Sequence, residues 1–182
     1  MLLLFLLLQT AASQAGQVTR LVAPANIVHQ DGKQEALETH TPFSPGESLV
    51  TGEGGRIRAQ LNEGSIFTLG SKTNLKVVAH DAQAQQTRLE LGAGKVRIEP
   101  IRHTKAAQVF EIRTNLATVT FDSASGDAVV DASDPSKTVV FSGGGGLTVR
   151  GSGSSAHLAR GQMTIVTSAD PVLPKPTPLP RP

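Results

Sequence analysis

Residues 44–70 read SPGESLVTGEGGRIRAQLNEGSIFTLG, and this stretch decides the fold. Glycine-marked turns separate short segments in which apolar residues fall at every second position, as at Ile57, Ala59 and Leu61. A period of two is the spacing of a half-buried β-strand, because successive side chains point to opposite faces of a sheet. The stretch therefore predicts a meander of antiparallel strands.

Strand-like alternation continues on both sides of this stretch. Residues 80–87 have a helix-friendly composition but no apolar stripe at 3.6-residue spacing, so they are interpreted as a hairpin loop. Roughly a dozen strands are expected in all, since strands usually span about five or six residues. Besides 56–61 and 66–69, the predicted strands are 17–22, 26–30, 75–78, 109–114, 117–121 and 127–130.

An internal echo supports an all-β fold. Residues 89–98 and 140–149 both read as strand, glycine-rich turn, strand, and residues 157–166 are a shorter version. Glycine suits such turns because it adopts positive φ without steric cost. Repeated units of this kind without helices predict an antiparallel β-sandwich or roll of short glycine-turn hairpins, with a short β-solenoid as the alternative.

The two ends of the chain differ from the middle. The apolar run 1–8 is too short for a membrane span, and the small residues Ser13 and Ala15 fit a signal-peptidase site. Cleavage is expected between Ala15 and Gly16, so residues 1–15 are predicted to be a signal peptide and the protein to be periplasmic or secreted. The chain has no Cys, which excludes disulfides and a lipoprotein anchor.

Residues 169–182 carry proline at near-alternate positions, which favours an extended, disordered tail over a sheet strand. Residues 16–168 are therefore expected to form the single β domain. The tail is interpreted as a solvated terminus, with a spacer or a peptide ligand as the alternative.

Charge and aromatic content narrow the function classes. The formal net charge is only +2, and the chain has neither Trp nor Tyr. Nucleic-acid binding and aromatic stacking of sugars or bases are therefore disfavoured. Four of the phenylalanines lie in alternating strands and are expected in the core: Phe67, Phe110, Phe121 and Phe141.

The sequence indicates no metal site or cofactor. His29, Asp31, Glu38 and His40 lie close together, and Glu38 and His40 would share one face of a strand. No group of residues has the spacing of a zinc site, however, so no metal ligand is predicted. The remaining histidines, His80, His103 and His157, are interpreted as solvated.

Catalytic motifs are equally lacking. There is no Gly-x-Ser-x-Gly elbow, and the glycines at 143–146 precede a strand rather than the helix that a phosphate loop needs. No catalytic residue is predicted, and the protein is expected not to be an enzyme. Several basic residues fall on the solvent phase of strands and could form a face for acidic polymers: Arg56, Arg58, Arg88, Lys95 and Arg97.

The chain resembles the FecR domain, an exported all-β module, over residues 16–166. The resemblance lies in the order of short motifs: Gly46, Leu49 and Thr51-Gly52, the strand 57–61, Gly64-Ser65, Leu69-Gly70, the Leu91-Gly92-x-Gly94 turn, the strand 110–114, and Leu158-x-x-Gly161. Asp122-Ser123 and Ser125-Gly126 stand where the family usually has a Gly-Thr pair. The anti-sigma region and membrane helix of the iron-uptake regulators are not found in this chain.

The resemblance implies a free-standing exported module that acts by binding. Envelope sensing or regulation through contacts with an unidentified envelope protein or receptor is the first expectation, with strand addition at a sheet edge as a physical mode. The alternative is a structural protein that holds cell-wall polymer or polysaccharide by charge.

Overall fold

The structure, a computed structural model, describes residues 14–101, 109–122, 126–151, 153–169 and 175–178. Over these ranges the chain forms seventeen β-strands and no helix. The strands are β1 (Gly16–Val22), β2 (Ala25–Val28), β3 (Gln34–Ala36), β4 (Pro42–Phe43), β5 (Ser48–Thr51), β6 (Arg56–Leu61), β7 (Ile66–Leu69), β8 (Asn74–Asp81), β9 (Gln86–Glu99), β10 (Val109–Arg113), β11 (Thr118–Phe121), β12 (Ala128–Ala132), β13 (Lys137–Ser142), β14 (Leu147–Arg150), β15 (Ser155–Leu158), β16 (Gln162–Thr167) and β17 (Thr177–Pro178).

Two long sheets share the fourteen-residue strand β9. Sheet A runs β4-β1-β6-β7-β9-β12-β13-β16-β17, using the second half of β9. Sheet B runs β3-β2-β5-β8-β9-β10-β11-β14-β15, using the first half. Every pairing is antiparallel except that of β9 with β10. The predicted all-β antiparallel sandwich is confirmed.

The sequence echoes have a different geometry from the one predicted. Gly92 and Gly94 lie inside the continuous strand β9, at the point where it leaves sheet B and enters sheet A. The second echo joins β13 of sheet A to β14 of sheet B, and the third joins β15 to β16. The interpretation of these units as hairpins is therefore wrong: each is a corner between the two sheets. One glycine with positive φ lies at each corner: Gly94, Gly145 and Gly161.

Alternate side chains of both sheets enter one hydrophobic core, so the sheets pack face to face. Phe43 and Phe67 lie with ring centroids 5.8 Å apart, and Phe110 and Phe121 lie 5.3 Å apart edge to face. Phe141 is the exception to the expected core set, because it is half-buried on the outer face of β13 and not in the core.

A relay of two buried threonines holds the central corner. The Thr51 hydroxyl donates to the Gly70 carbonyl oxygen at 2.6 Å and accepts the Thr73 N–H at 2.9 Å. The Thr73 hydroxyl in turn accepts the Lys95 N–H at 3.0 Å. These bonds join the end of β5 to the β7–β8 turn and to the second half of β9. They satisfy backbone groups that neither ladder reaches.

The ends of the described chain also contribute contacts. Ala15 is buried, its N–H donates to the Phe43 carbonyl oxygen at 2.8 Å, and its carbonyl oxygen accepts the Asn62 N–H at 2.9 Å. At the other end, Thr177–Pro178 pairs with β16, so this part of the tail is an edge strand rather than an unpaired rod. Proline is compatible with an edge because only one side needs to donate.

Candidate binding surface on the outer face of sheet A

A row of arginines crosses the outer face of sheet A. The ladder places Arg20 of β1 directly opposite Arg58 of β6, and Thr68 of β7 lies between Arg58 and Arg97 of β9. A register shift between Val18 and Arg20 puts Arg20 on this face, because it reverses the alternation of β1. Arg56 and Lys95 extend the basic region in the next row.

Carboxylates neutralise only one side of this region. Arg97 pairs with Asp127 at 2.8 Å, Lys95 pairs with Asp131 at 2.8 Å, and Glu99 lies 3.5 Å from Arg58. Although burial raises the pKa of Asp131, hydrogen bonds from Lys95 and Ser133 outweigh it and hold that pKa below its ordinary value. Among the described residues, no carboxylate lies within ion-pair distance of Arg20 or Arg56. The basic region therefore carries five cations against three carboxylates among the described residues.

Two open depressions lie between these side chains. The larger, of about 470 Å³, is lined by Arg56, Lys95 and Arg97 together with Thr68, Ser71 and Ser133. Gly70 also lines this depression, and a Cβ at Gly70 would lie 3.7 Å from Lys95 Cβ. The smaller, of about 260 Å³, is lined by Arg20, Val22, Arg56 and Arg58. Guanidinium groups beside hydroxyls are a donor set suited to carboxylates or phosphates.

The other half of the same face is mainly apolar, with Asp131 and Lys137 as its charged residues. Val129 of β12, Phe141 of β13 and Met163 of β16 follow one another across the ladder. Val139 and Ile165 form the next row, and Ile165 is 36% exposed. We call these five residues the apolar strip. It adjoins the basic region directly, because Val129 pairs with Arg97.

The outer face of sheet B has a different charge pattern. There the register places Lys76 opposite Glu90, and Glu90 beside Arg113 of β10. Arg88 lies beside Glu111, which also contacts Arg113 at 2.6 Å. Opposite charges therefore alternate on sheet B, whereas sheet A separates a basic region from a mainly apolar half.

The histidine cluster considered as a metal site forms ion pairs instead. His29 Nδ1 lies 2.6 Å from Glu47 Oε1, and His29 Nε2 lies 3.6 Å from Glu35. The hydrogen bond with Glu47 raises the pKa of His29 above its ordinary value. Glu38 and His40 lie in a turn, not on a strand, so the expectation of a shared face is wrong. Within the described ranges no group of three or more ligands could hold a metal ion.

His80 is buried, which corrects its interpretation as solvated. Its side chain is 3% exposed and its Nε2 lies 3.2 Å from Glu63 Oε2, in a carboxylate that is 5% exposed. His157, by contrast, is exposed as expected and lies 2.9 Å from Asp122. His103 lies outside the described residues.

Several motif residues hold the fold together, whereas the predicted basic residues lie on the surface. Thr51, Gly70 and Gly94 hold the corners, while the predicted basic residues are exposed or half-exposed, with Arg56, Arg58, Lys95 and Arg97 on sheet A and Arg88 on sheet B. Sequence reasoning missed Arg20 and the apolar strip. The three-residue spacing between Val18 and Leu21 is the signal that could have revealed the bulge.

Comparisons with known proteins agree with this fold. Residues 47–144, more than half of the chain, match the family model described as FecR protein. Two crystal structures of a candidate anti-sigma factor from Parabacteroides distasonis ATCC 8503, at 2.50 and 1.65 Å resolution, align with TM-scores of 0.62 and 0.60 at 17% identity. Each alignment covers 72% of this chain and 59% of the other, so the chain spans less than two thirds of those structures. A comparison with curated proteins gives no match. The described residues contain no helix long and apolar enough to cross a membrane.

Proposed function

Because this chain belongs to the FecR protein family, we propose that it is a regulatory or sensing module of the cell envelope that binds another protein and catalyses no reaction. The proposal includes export to the periplasm or beyond, supported by the apolar run 1–8 and the small residues Ser13 and Ala15. The likeness in fold to the candidate anti-sigma factor is consistent with a place in signalling.

The outer face of sheet A is the observation that carries the proposal. It exposes Arg20 and Arg56, which lie at ion-pair distance from no described carboxylate, beside the apolar strip. Interfaces between proteins combine these two features, an apolar centre and arginine-rich polar contacts. The open depressions suit a large partner better than an enclosed small molecule.

In-cell crosslinking of the exported protein, followed by mass spectrometry of the captured species, tests the proposal. We expect recovery of an identified envelope protein, either an outer-membrane receptor or a membrane-anchored regulator. Recovery of the protein alone, or of wall polymer alone, would contradict a regulatory role.

A structural role in holding anionic wall polymer is the second candidate. Arg20 and Arg56, which lie at ion-pair distance from no described carboxylate, favour it. Attachment of this kind is electrostatic and exposed, so about 0.5 M salt should release the protein from isolated walls. Retention at that ionic strength would contradict the mechanism.

A further inference from the structure

We propose that the outer face of sheet A docks a protein segment that presents carboxylates to β1, β6 and β9 and apolar side chains to β12, β13 and β16. This inference rests on the proposed function, because it specifies the chemistry of the protein partner that such a function requires.

The first argument is the pairing of Arg20 with Arg58. Like charges directly opposite each other across a ladder destabilise a sheet. The sheet B face of the same protein avoids this arrangement by placing acids beside bases. Sheet A breaks this rule of charge pairing while sheet B obeys it, which indicates that function constrains the outer face of sheet A.

The second argument is charge complementarity. Arg20 and Arg56 line the same depression, at the edge away from Asp127 and Asp131. A carboxylate from a partner can take the place of the missing acids and accept paired N–H bonds from a guanidinium group. Binding of this kind relieves the repulsion between Arg20 and Arg58 at the same time.

The third argument selects a protein over an anionic polysaccharide. A polysaccharide of uronic acids can satisfy the basic half, but it offers little to Phe141, Val139 and Ile165. Adjacent strands lie about 4.8 Å apart, so four spacings from β6 to β13 amount to roughly 19 Å. The partner therefore needs acidic and apolar side chains separated by about this distance. It lies across the face, since the ladder already uses the backbone N–H groups of these central strands.

The test is site-specific photo-crosslinking in cells that express the full chain. A benzophenone amino acid replaces Thr68 in the basic half, Val139 in the apolar strip, or Thr120 on sheet B as the matched control. We expect adducts from positions 68 and 139 to one identified envelope protein. The position-68 adduct should map to a segment rich in Asp and Glu, and the position-139 adduct to apolar residues nearby.

Charge variants then separate binding from folding. Arg20→Glu and Arg56→Glu should each reduce the position-139 adduct about tenfold, a change typical of desolvated interfacial charges. Arg56→Lys should retain most of the adduct, and Arg150→Glu on sheet B should retain all of it. Arg20→Gln should lose adduct while its Tm stays equal or rises, because the mutation removes the repulsion from Arg58. A loss of adduct that simply follows a loss of Tm would overturn the docking role.

The outcomes distinguish this inference from the proposed function. Adducts to an identified envelope protein from position 120, and none from 68 or 139, would overturn the docking face and leave the regulatory proposal standing. Adducts from position 68 to wall polymer alone, or no protein adduct at any position, would overturn both.

Discussion

The threonine relay provides a sharp test of how this fold is held together. Thr51 is 3% exposed, and its hydroxyl makes two short bonds to backbone groups, with Gly70 as acceptor and Thr73 as donor. The change Thr51→Val keeps the shape of the side chain and removes both bonds. A carbonyl oxygen and an N–H group at the central corner then lose their partner.

The expected cost follows from these two bonds. Each contributes about 1 kcal/mol net, and leaving a buried backbone group unpaired costs about 1–3 kcal/mol. We therefore expect Thr51→Val to lower the free energy of unfolding by about 2–4 kcal/mol. For a domain of this size that corresponds to a fall in Tm of roughly 5–15 °C.

The assay is urea unfolding followed by far-ultraviolet circular dichroism, because the chain has no Trp or Tyr to report by fluorescence. The m-value should stay constant while the midpoint falls. Thr120→Val on the half-exposed outer face of β11 is the control, expected within about 0.5 kcal/mol of the wild type. Thr51→Ser, which keeps the hydroxyl, should retain most of the stability. Equal effects of Thr51→Val and Thr120→Val would refute the reasoning.

Three further perturbations have defined outcomes. Gly94→Ala should destabilise the fold far more than Gly32→Ala. Both glycines have positive φ, but a Cβ at Gly94 would lie 2.7 Å from a backbone carbonyl oxygen, whereas a Cβ at Gly32 would meet no atom. Thermal melts of the two variants measure the difference, and equal losses of Tm would exclude the clash. Because the pKa of His29 is raised in the folded protein, protonated His29 stabilises the fold fully below pH 6.5. This stabilisation is lost as pH rises through the folded pKa. The stability gap between wild type and His29→Gln should therefore shrink from pH 6 to pH 9, and a constant gap would contradict the ion pair with Glu47. A chain that begins at Gly16 lacks the two backbone hydrogen bonds of Ala15. Its free energy of unfolding should therefore be about 1–3 kcal/mol lower than that of a chain that keeps residues 13–15. Equal unfolding curves would show that those bonds are dispensable.

The sequence predicted the surface charges better than the corners. Alternation put Lys95 and Arg97 on the solvent face, and the structure places both there. The same alternation cannot tell a hairpin from a corner, because the strands on either side of the glycines have the same period in both. Gly94 has the positive φ expected of a turn, yet β9 continues through it into the second sheet.

The sequence also could not predict the buried contact between Glu63 and His80. Glu63 lies in a polar turn and His80 near a hairpin end, both ordinary places for solvated residues. Their 3.2 Å contact depends on how the β6–β7 turn packs against the end of β8, and β8 pairs with neither β6 nor β7. The local sequence pattern carries no information about a tertiary contact of this kind.

By itself the sequence determined that this protein is built of strands, where glycine must turn the chain, and that most charged side chains of the strands face water. These properties follow from the two-residue period and the steric freedom of glycine, which act within a few residues. The tertiary structure decided which strands pair, including the parallel ladder of β9 with β10, and that a bulge turns Arg20 toward Arg58. Strand partners are distant in the chain and every alternating segment fits many of them, so only the packing of two whole sheets around one core selects the register that forms the candidate surface.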